Sequence, residues 1–235
     1  MTNERINSFL MIGQSNMAGR GVLSDVTPID NEKCFMLRTG IFIKMTEPVN
    51  IDAPIFGEEW FCGVSPAASF ADELSRYTDK KIGIIPCAVG GTKIKEWMPG
   101  EILFCNAVMN AKLAMRTSDL KGIIWHQGES DCTDDESINL YRQRFLTVMC
   151  ALRKELGNEC LPIIIGEISE NISEQWKFED RPEKLNKILN EIANELPFCR
   201  IVSSDGLKLK EDGIHFDSAS CRIFGKRYCD EFLKI

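Results

Sequence analysis

The chain has 235 residues, 44% of them hydrophobic and 27% charged, with a formal net charge of −7. This composition is ordinary for a soluble globular protein long enough to cover a sizeable core. The negative balance argues against a nucleic-acid binder or a basic membrane-surface protein.

The first apolar run, residues 9–12, ends abruptly in Gly13-Gln14-Ser15-Asn16. Similar runs of strand length recur at 82–85, 122–125, 162–165 and 199–202. They are continuous rather than alternating, as expected for strands buried on both faces of a parallel sheet. Helical patterns lie between them. Ser65-Pro66 opens one with a capping serine and a first-turn proline, and Ala68, Phe70, Ala71 and Leu74 share its apolar side. Others span 102–115 and 136–156, the latter stopping at Gly157. A fourth follows Arg181-Pro182, and the last covers 217–233 with Asp217 as its cap. Residues 20–61 show no clear helical period and read as irregular or as short hairpins forming one wall of a site. The order predicts an α/β fold: a three-layer α/β/α sandwich with a five-stranded parallel sheet in flavodoxin-like order. No repeat or linker interrupts it, so residues 1–235 read as a single domain.

The N-terminal residues lack a basic start followed by an apolar core, and no run approaches the ~20 apolar residues of a membrane helix. A cytoplasmic location is therefore expected. None of the ten cysteines is spaced Cys-x-x-Cys, so they read as reduced, mostly buried small hydrophobes. The two histidines, His126 and His215, are too few for a multi-histidine metal site, and neither a metal nor a cofactor is expected.

Candidate chemistry gathers at strand tips, where open α/β sheets bind ligands. Ser15 displays a hydroxyl where a helix begins. On its own the segment reads more readily as turn and N-cap chemistry than as a nucleophile. Gly90-Gly91-Thr92 follows the second run, where glycines let backbone N–H groups approach a ligand. After the third run comes Trp125-His126-Gln127-Gly128-Glu129-Ser130-Asp131, in which Gln127 can aim an amide into the cleft. Asp212 and His215, three apart in a turn, can fold back on each other so that the carboxylate fixes the imidazole tautomer. A nucleophile, a base with an orienter, and oxyanion donors are the inventory of acyl transfer.

Gly13-Gln14-Ser15-Asn16-Met17, Gly90-Gly91-Thr92, the Trp125–Asp131 string and Asp212-Gly213-Ile214-His215 resemble the ordered blocks of the SGNH hydrolase superfamily. More narrowly, they resemble its sialate O-acetylesterase and carbohydrate esterase family 6 branch, which includes acetylxylan esterases. The resemblance implies metal-free deacetylation of carbohydrate O-acetyl esters. It assigns Ser15 as nucleophile, His215 as general base and Asp212 as its orienter. The N–H groups of Ser15 and of Gly90 or Gly91, with the Gln127 side chain, would form the oxyanion hole. Glu129 has two open roles: supporting His215 beside Asp212, or bracing the loop through backbone N–H groups, which is favoured. His126 reads as a packing or hydrogen-bonding neighbour. Trp60, Phe61 and Trp97 fall near predicted loops, where each can stack on a sugar or simply pack. Two other classes fit the sequence: a lipase- or thioesterase-like hydrolase of other acyl esters, and a sugar-binding α/β module without turnover.

Overall fold

The computed structural model describes residues 5–51 and 62–235. Seven strands form one sheet: β1 (Ile6–Gly13), β2 (Cys34–Arg38), β3 (Ile41–Lys44), β4 (Ile82–Pro86), β5 (Ser118–His126), β6 (Ile163–Gly166) and β7 (Cys199–Val202). Their order is β3-β2-β4-β1-β5-β6-β7, parallel throughout except for the antiparallel β2–β3 pair. The five strands expected from the apolar runs stand in flavodoxin-like order, β4-β1-β5-β6-β7.

The expectation of five strands is corrected by β2 and β3, which extend the sheet beyond β4. Both lie in the segment read as irregular or hairpin-forming. The hairpin is there, turned by Thr39 and Gly40 at φ 45° and 86°, the left-handed pair that a type I′ turn requires. In addition, β2 pairs in parallel with β4 and so joins the main sheet.

The principal helices are α1 (Ser15–Ala18), α2 (Pro66–Leu74), α3 (Ile102–Ala114), α4 (Asp135–Glu155), α5 (Arg181–Glu195) and α6 (Ser218–Phe232). Asp217 caps α6 as expected, its carboxylate accepting from Ser220 N at 2.7 Å. Ser65 stands at the N-cap of α2 but makes no side-chain cap bond, so the serine expected to cap this helix does not do so. Pro66 at the first helical position serves instead, because its fixed φ suits a helix start.

Because both faces of the sheet are covered, alternate residues of each strand feed different cores. Leu10 and Ile12 of β1 enter the core shared with α3, α4 and α5, together with Trp97, Trp125 and Phe145. Phe9 and Met11 enter the core beneath α2 and α6. There Phe9 meets Phe70 and Phe232 edge-on, with ring centroids 4.9 and 5.0 Å apart. Each such pair adds ~0.5–1.5 kcal/mol beyond the area it buries. Helices α2 and α6 approach so closely that a Cβ at Gly225 would lie 2.1 Å from Pro66 O. Among the described residues no helix is long and apolar enough to cross a membrane.

Candidate active site

The tips of β1, β4 and β5 are laced together. Gln14 N–H donates to His126 O at 2.9 Å, and Val89 N–H donates to Gly13 O at 2.9 Å. A Cβ at Gly13, whose φ is +134°, would fall 2.0 Å from His126 O, so only glycine lets the two strands close here. The chain then turns directly into α1, which Ser15 opens. The N–H groups of Ser15 and Asn16 begin this helix and have no carbonyl partner within it.

Ser15, His215 and Asp212 lie in a hydrogen-bonded row. His215 Nε2 is 2.9 Å from Ser15 Oγ, and His215 Nδ1 is 3.0 Å from Asp212 Oδ2. Asp212 Oδ1 also accepts from the backbone N–H groups of His215 (2.9 Å) and Ile214 (3.1 Å). Burial pushes the Asp212 carboxyl up, but the bonds from His215 and Ile214 outweigh it and hold the group below the ordinary carboxylate value. The turn is fixed by a bridge between Leu209 and Phe216 and by Lys210 N–H donating to His215 O at 2.7 Å. From outside, Gln175 Nε2 and Trp176 Nε1 each donate to Asp212 O at 2.9 Å. These two contacts had no sequence signal, since they come from a loop 36 or 37 residues away.

The double glycine follows β4. Gly91 has φ +74° and open space where a Cβ would point. Thr92 closes the turn by donating to Val89 O at 2.9 Å, and Trp97 Nε1 donates to Thr92 Oγ1 at 3.1 Å. Trp97 is thus a buried brace for this turn, 1% exposed, and not a sugar-stacking face. Trp60 and Phe61 lie outside the described residues.

Gln127 differs from its expected role as a donor into the cleft. Its side chain is fully buried, and Nε2 lies within hydrogen-bond reach of Asp131 Oδ2 (2.6 Å), Thr92 O (2.9 Å) and Gln14 Oε1 (3.1 Å). Three acceptors face two hydrogens, so none is left over. Tyr141 O–H donates to the other end, Oε1, at 2.9 Å and fixes the amide orientation. Gln14 Oε1 in turn accepts from Gly128 N and Ser130 N, tying the β5 loop to the residue before Ser15. Asp131 carries a cost: burial pushes its carboxyl up to about 6, against the bonds it accepts from Gln127 and Ile94 N.

The Glu129 carboxylate has Asn16 and His126 as its partners, not His215. Its Oε1 accepts from Asn16 Nδ2 at 2.6 Å and pairs with His126 Nε2 at 3.0 Å, in a pocket where all three residues are 1% exposed. Glu129 is therefore held chiefly by the Asn16 and His126 side chains, with its own backbone N–H as a lesser donor. Burial raises the Glu129 carboxyl, but the charge and hydrogen bond of His126 and the Asn16 bond outweigh it and hold the group below its ordinary value. His126 packs edge-on against Phe216 and Phe224, as a buried neighbour of the site. Asn16, singled out only as part of a string, donates to Ile214 O at 3.1 Å and accepts from Phe216 N–H at 2.9 Å. Among the described residues no group of three or more His, Cys, Asp or Glu is placed to hold a metal ion.

A family model described as carbohydrate esterase, sialic acid-specific acetylesterase, matches residues 5–234. A probable carbohydrate esterase of Arabidopsis thaliana is 30% identical over 226 residues, covering 88% of this chain and 82% of its own. A solved Arabidopsis thaliana structure superposes with a TM-score of 0.85 at 27% identity, covering 97% of this chain and 98% of that one. NanS superposes with a TM-score of 0.78 at 18% identity, covering 100% and 98%, a likeness of fold.

Proposed function

The chain belongs to the carbohydrate esterase family of sialic acid-specific acetylesterases, and from that premise we propose that Ser15, His215 and Asp212 carry out its reaction as nucleophile, general base and orienting acid. The reaction is removal of O-acetyl groups from carbohydrates. The observation that supports these roles is the row from Asp212 Oδ2 through the imidazole to Ser15 Oγ, with steps of 3.0 and 2.9 Å.

Ser15 Oγ attacks the acetyl carbonyl carbon as its proton passes to His215 Nε2. The imidazolium is stabilised by Asp212. The oxyanion accepts from the N–H of Ser15 and from that of Gly90 or Gly91. Collapse breaks the bond to the sugar oxygen, which leaves with the proton held by His215. Water then attacks the acetyl-enzyme, losing its proton to His215, and acetate departs as Ser15 regains the proton. The acetylated sugar is of sialate or acetylxylan type. Residues 1–235 act as one esterase domain. Cys34, Cys87, Cys132, Cys199, Cys221 and Cys229 are buried thiols, which supports a reducing, cytoplasmic location.

The test pairs nitrophenyl acetate with nitrophenyl octanoate, using wild type and Ser15→Ala, followed by acetylated sialic acid and acetylated xylan. Acetate turnover abolished by Ser15→Ala is expected. Preference for octanoate would move the reading to a lipase-like hydrolase. Sugar binding without cleavage of any ester would make it a binding module.

A further inference from the structure

We propose that Asn16 is a positioning residue that sets the distance between Ser15 and His215, and that Glu129 acts on the reaction only through Asn16. The proposal rests on the reading of Ser15 and His215 as the reacting pair.

The Asn16 amide brackets His215. Nδ2 donates to the carbonyl of the preceding residue, Ile214 (3.1 Å), and Oδ1 accepts from the N–H of the following residue, Phe216 (2.9 Å). A planar amide with one donor and one acceptor side thus holds the backbone on both sides of the base, much as a neighbouring strand would. It does so from the residue next to the nucleophile. The other bonds on the turn do a different job. Lys210 N–H to His215 O and Gly213 N–H to Lys210 O fold the turn on itself. Ser173 N–H, Gln175 and Trp176 tie it to the loop between β6 and α5. Lys210 Nζ reaches Arg20 O, beyond α1. Asn16 alone among these holds the residues on either side of His215.

An amide can also sit the other way round, and the reversed Asn16 would set oxygen against Ile214 O and nitrogen against Phe216 N. Glu129 excludes that arrangement. Its Oε1 takes the second Nδ2 hydrogen at 2.6 Å, so a reversed amide would face a carboxylate with an oxygen. Glu129 is itself held by His126 Nε2 at 3.0 Å. The route from Glu129 to the reaction therefore runs carboxylate, Asn16 amide, backbone of residues 214 and 216, imidazole. A displacement of ~1 Å at a reacting pair can cost ~10²-fold in rate.

The experiment measures kcat and KM on nitrophenyl acetate, with kcat expressed per active site titrated by a fluorophosphonate. That normalisation removes loss of folded enzyme, the signature of a merely structural residue. Asn16→Ala is expected to lower kcat by roughly 10- to 100-fold, with KM within about twofold. Glu129→Ala is expected to lower kcat in the wild-type background but not further in the Asn16→Ala background, as residues acting in series do. Glu129→Gln keeps an acceptor for Asn16 and is expected to recover most of the activity lost in Glu129→Ala. The proposal is overturned by a kcat within about twofold of wild type for Asn16→Ala, or by an equal Glu129→Ala effect in both backgrounds. If Asn16→Ala lacks the wild-type circular dichroism, the isosteric Asn16→Asp replaces it. That variant sets oxygen against Ile214 O, and an undiminished kcat would likewise overturn the proposal. Wild type that neither cleaves the ester nor is labelled at Ser15 would overturn the underlying reading, and this inference with it.

Discussion

Asp212 holds His215 at two points: one carboxylate oxygen lies 3.0 Å from the ring Nδ1, and the other accepts the backbone N–H of the same residue at 2.9 Å. The acid therefore fixes both the tautomer of the imidazole and the position from which it swings.

Asp212→Asn can keep the backbone contact but not the charge that stabilises the imidazolium. In the comparable protease triad this change costs about 10⁴ in kcat, and a loss approaching that size is expected. Glu129→Gln is expected to cost far less, because Glu129 meets Asn16 and His126 rather than His215. Steady-state kinetics of the two variants decides the matter; a collapsed Glu129→Gln beside an intact Asp212→Asn would exchange their roles.

The acid limb of kcat/KM is expected to fall with a slope of one proton. A protonated imidazole cannot take the serine proton, and the Asp212 carboxyl is held below its ordinary value by the bonds it accepts from His215 and Ile214. A pH–rate profile on nitrophenyl acetate checks this, and a slope of two would place a second titrating group in the mechanism.

Gln127→Ala is expected to lower the melting temperature. It removes one of the acceptors of Tyr141 O–H and one of the donors to each of Gln14 Oε1 and Asp131 Oδ2 in the interior, and each lost bond is worth ~0.5–1.5 kcal/mol. A side chain acting mainly as an oxyanion donor would behave differently, losing ~10²–10³ in kcat with stability retained. Calorimetry with kinetics per titrated site separates the two.

Asp131 carries a pH signature of its own. Its folded value of about 6 lies above the ordinary value of 3.8, so between those two pH values the folded state holds a proton that the unfolded chain has lost. The contribution is fully present below about 3.8, declines as pH rises, and is lost above about 6. Melting temperatures of wild type and Asp131→Asn are therefore expected to diverge, in favour of the variant, as pH climbs through that window. A constant difference would mean that Asp131 is already ionised at its lower end.

The strands that carry the site were legible because they are buried on both faces and so read as unbroken apolar runs. β2 and β3 were not. β3 is an edge strand whose Ile41 and Ile43 are exposed, and Thr39-Gly40 is a less telling turn pair than Asn-Gly. Ser15, Asp212 and His215 could be grouped because an Asp-x-x-His turn before the last helix offers a carboxylate and an imidazole to a hydroxyl at the tip of β1, and because the ordered blocks resemble those of a known superfamily. Gln127 and Glu129 were harder for a definite reason. A polar side chain just past a buried strand can face the cleft or turn inward, and the choice depends on partners far off in sequence. Tyr141 claims Gln127 from 14 residues away, and Asn16 claims Glu129 from 113.

Ser15 opens the first helix and His215 precedes the last one, 200 residues later, with β2 to β7 laid down between them. On the roles proposed for Ser15 and His215, a chain emerging from the ribosome would display its serine long before it has an imidazole to activate it. On those roles, turnover requires that the start of the chain and the turn before its last helix have come together, so activity is expected only from a chain folded across nearly its whole length.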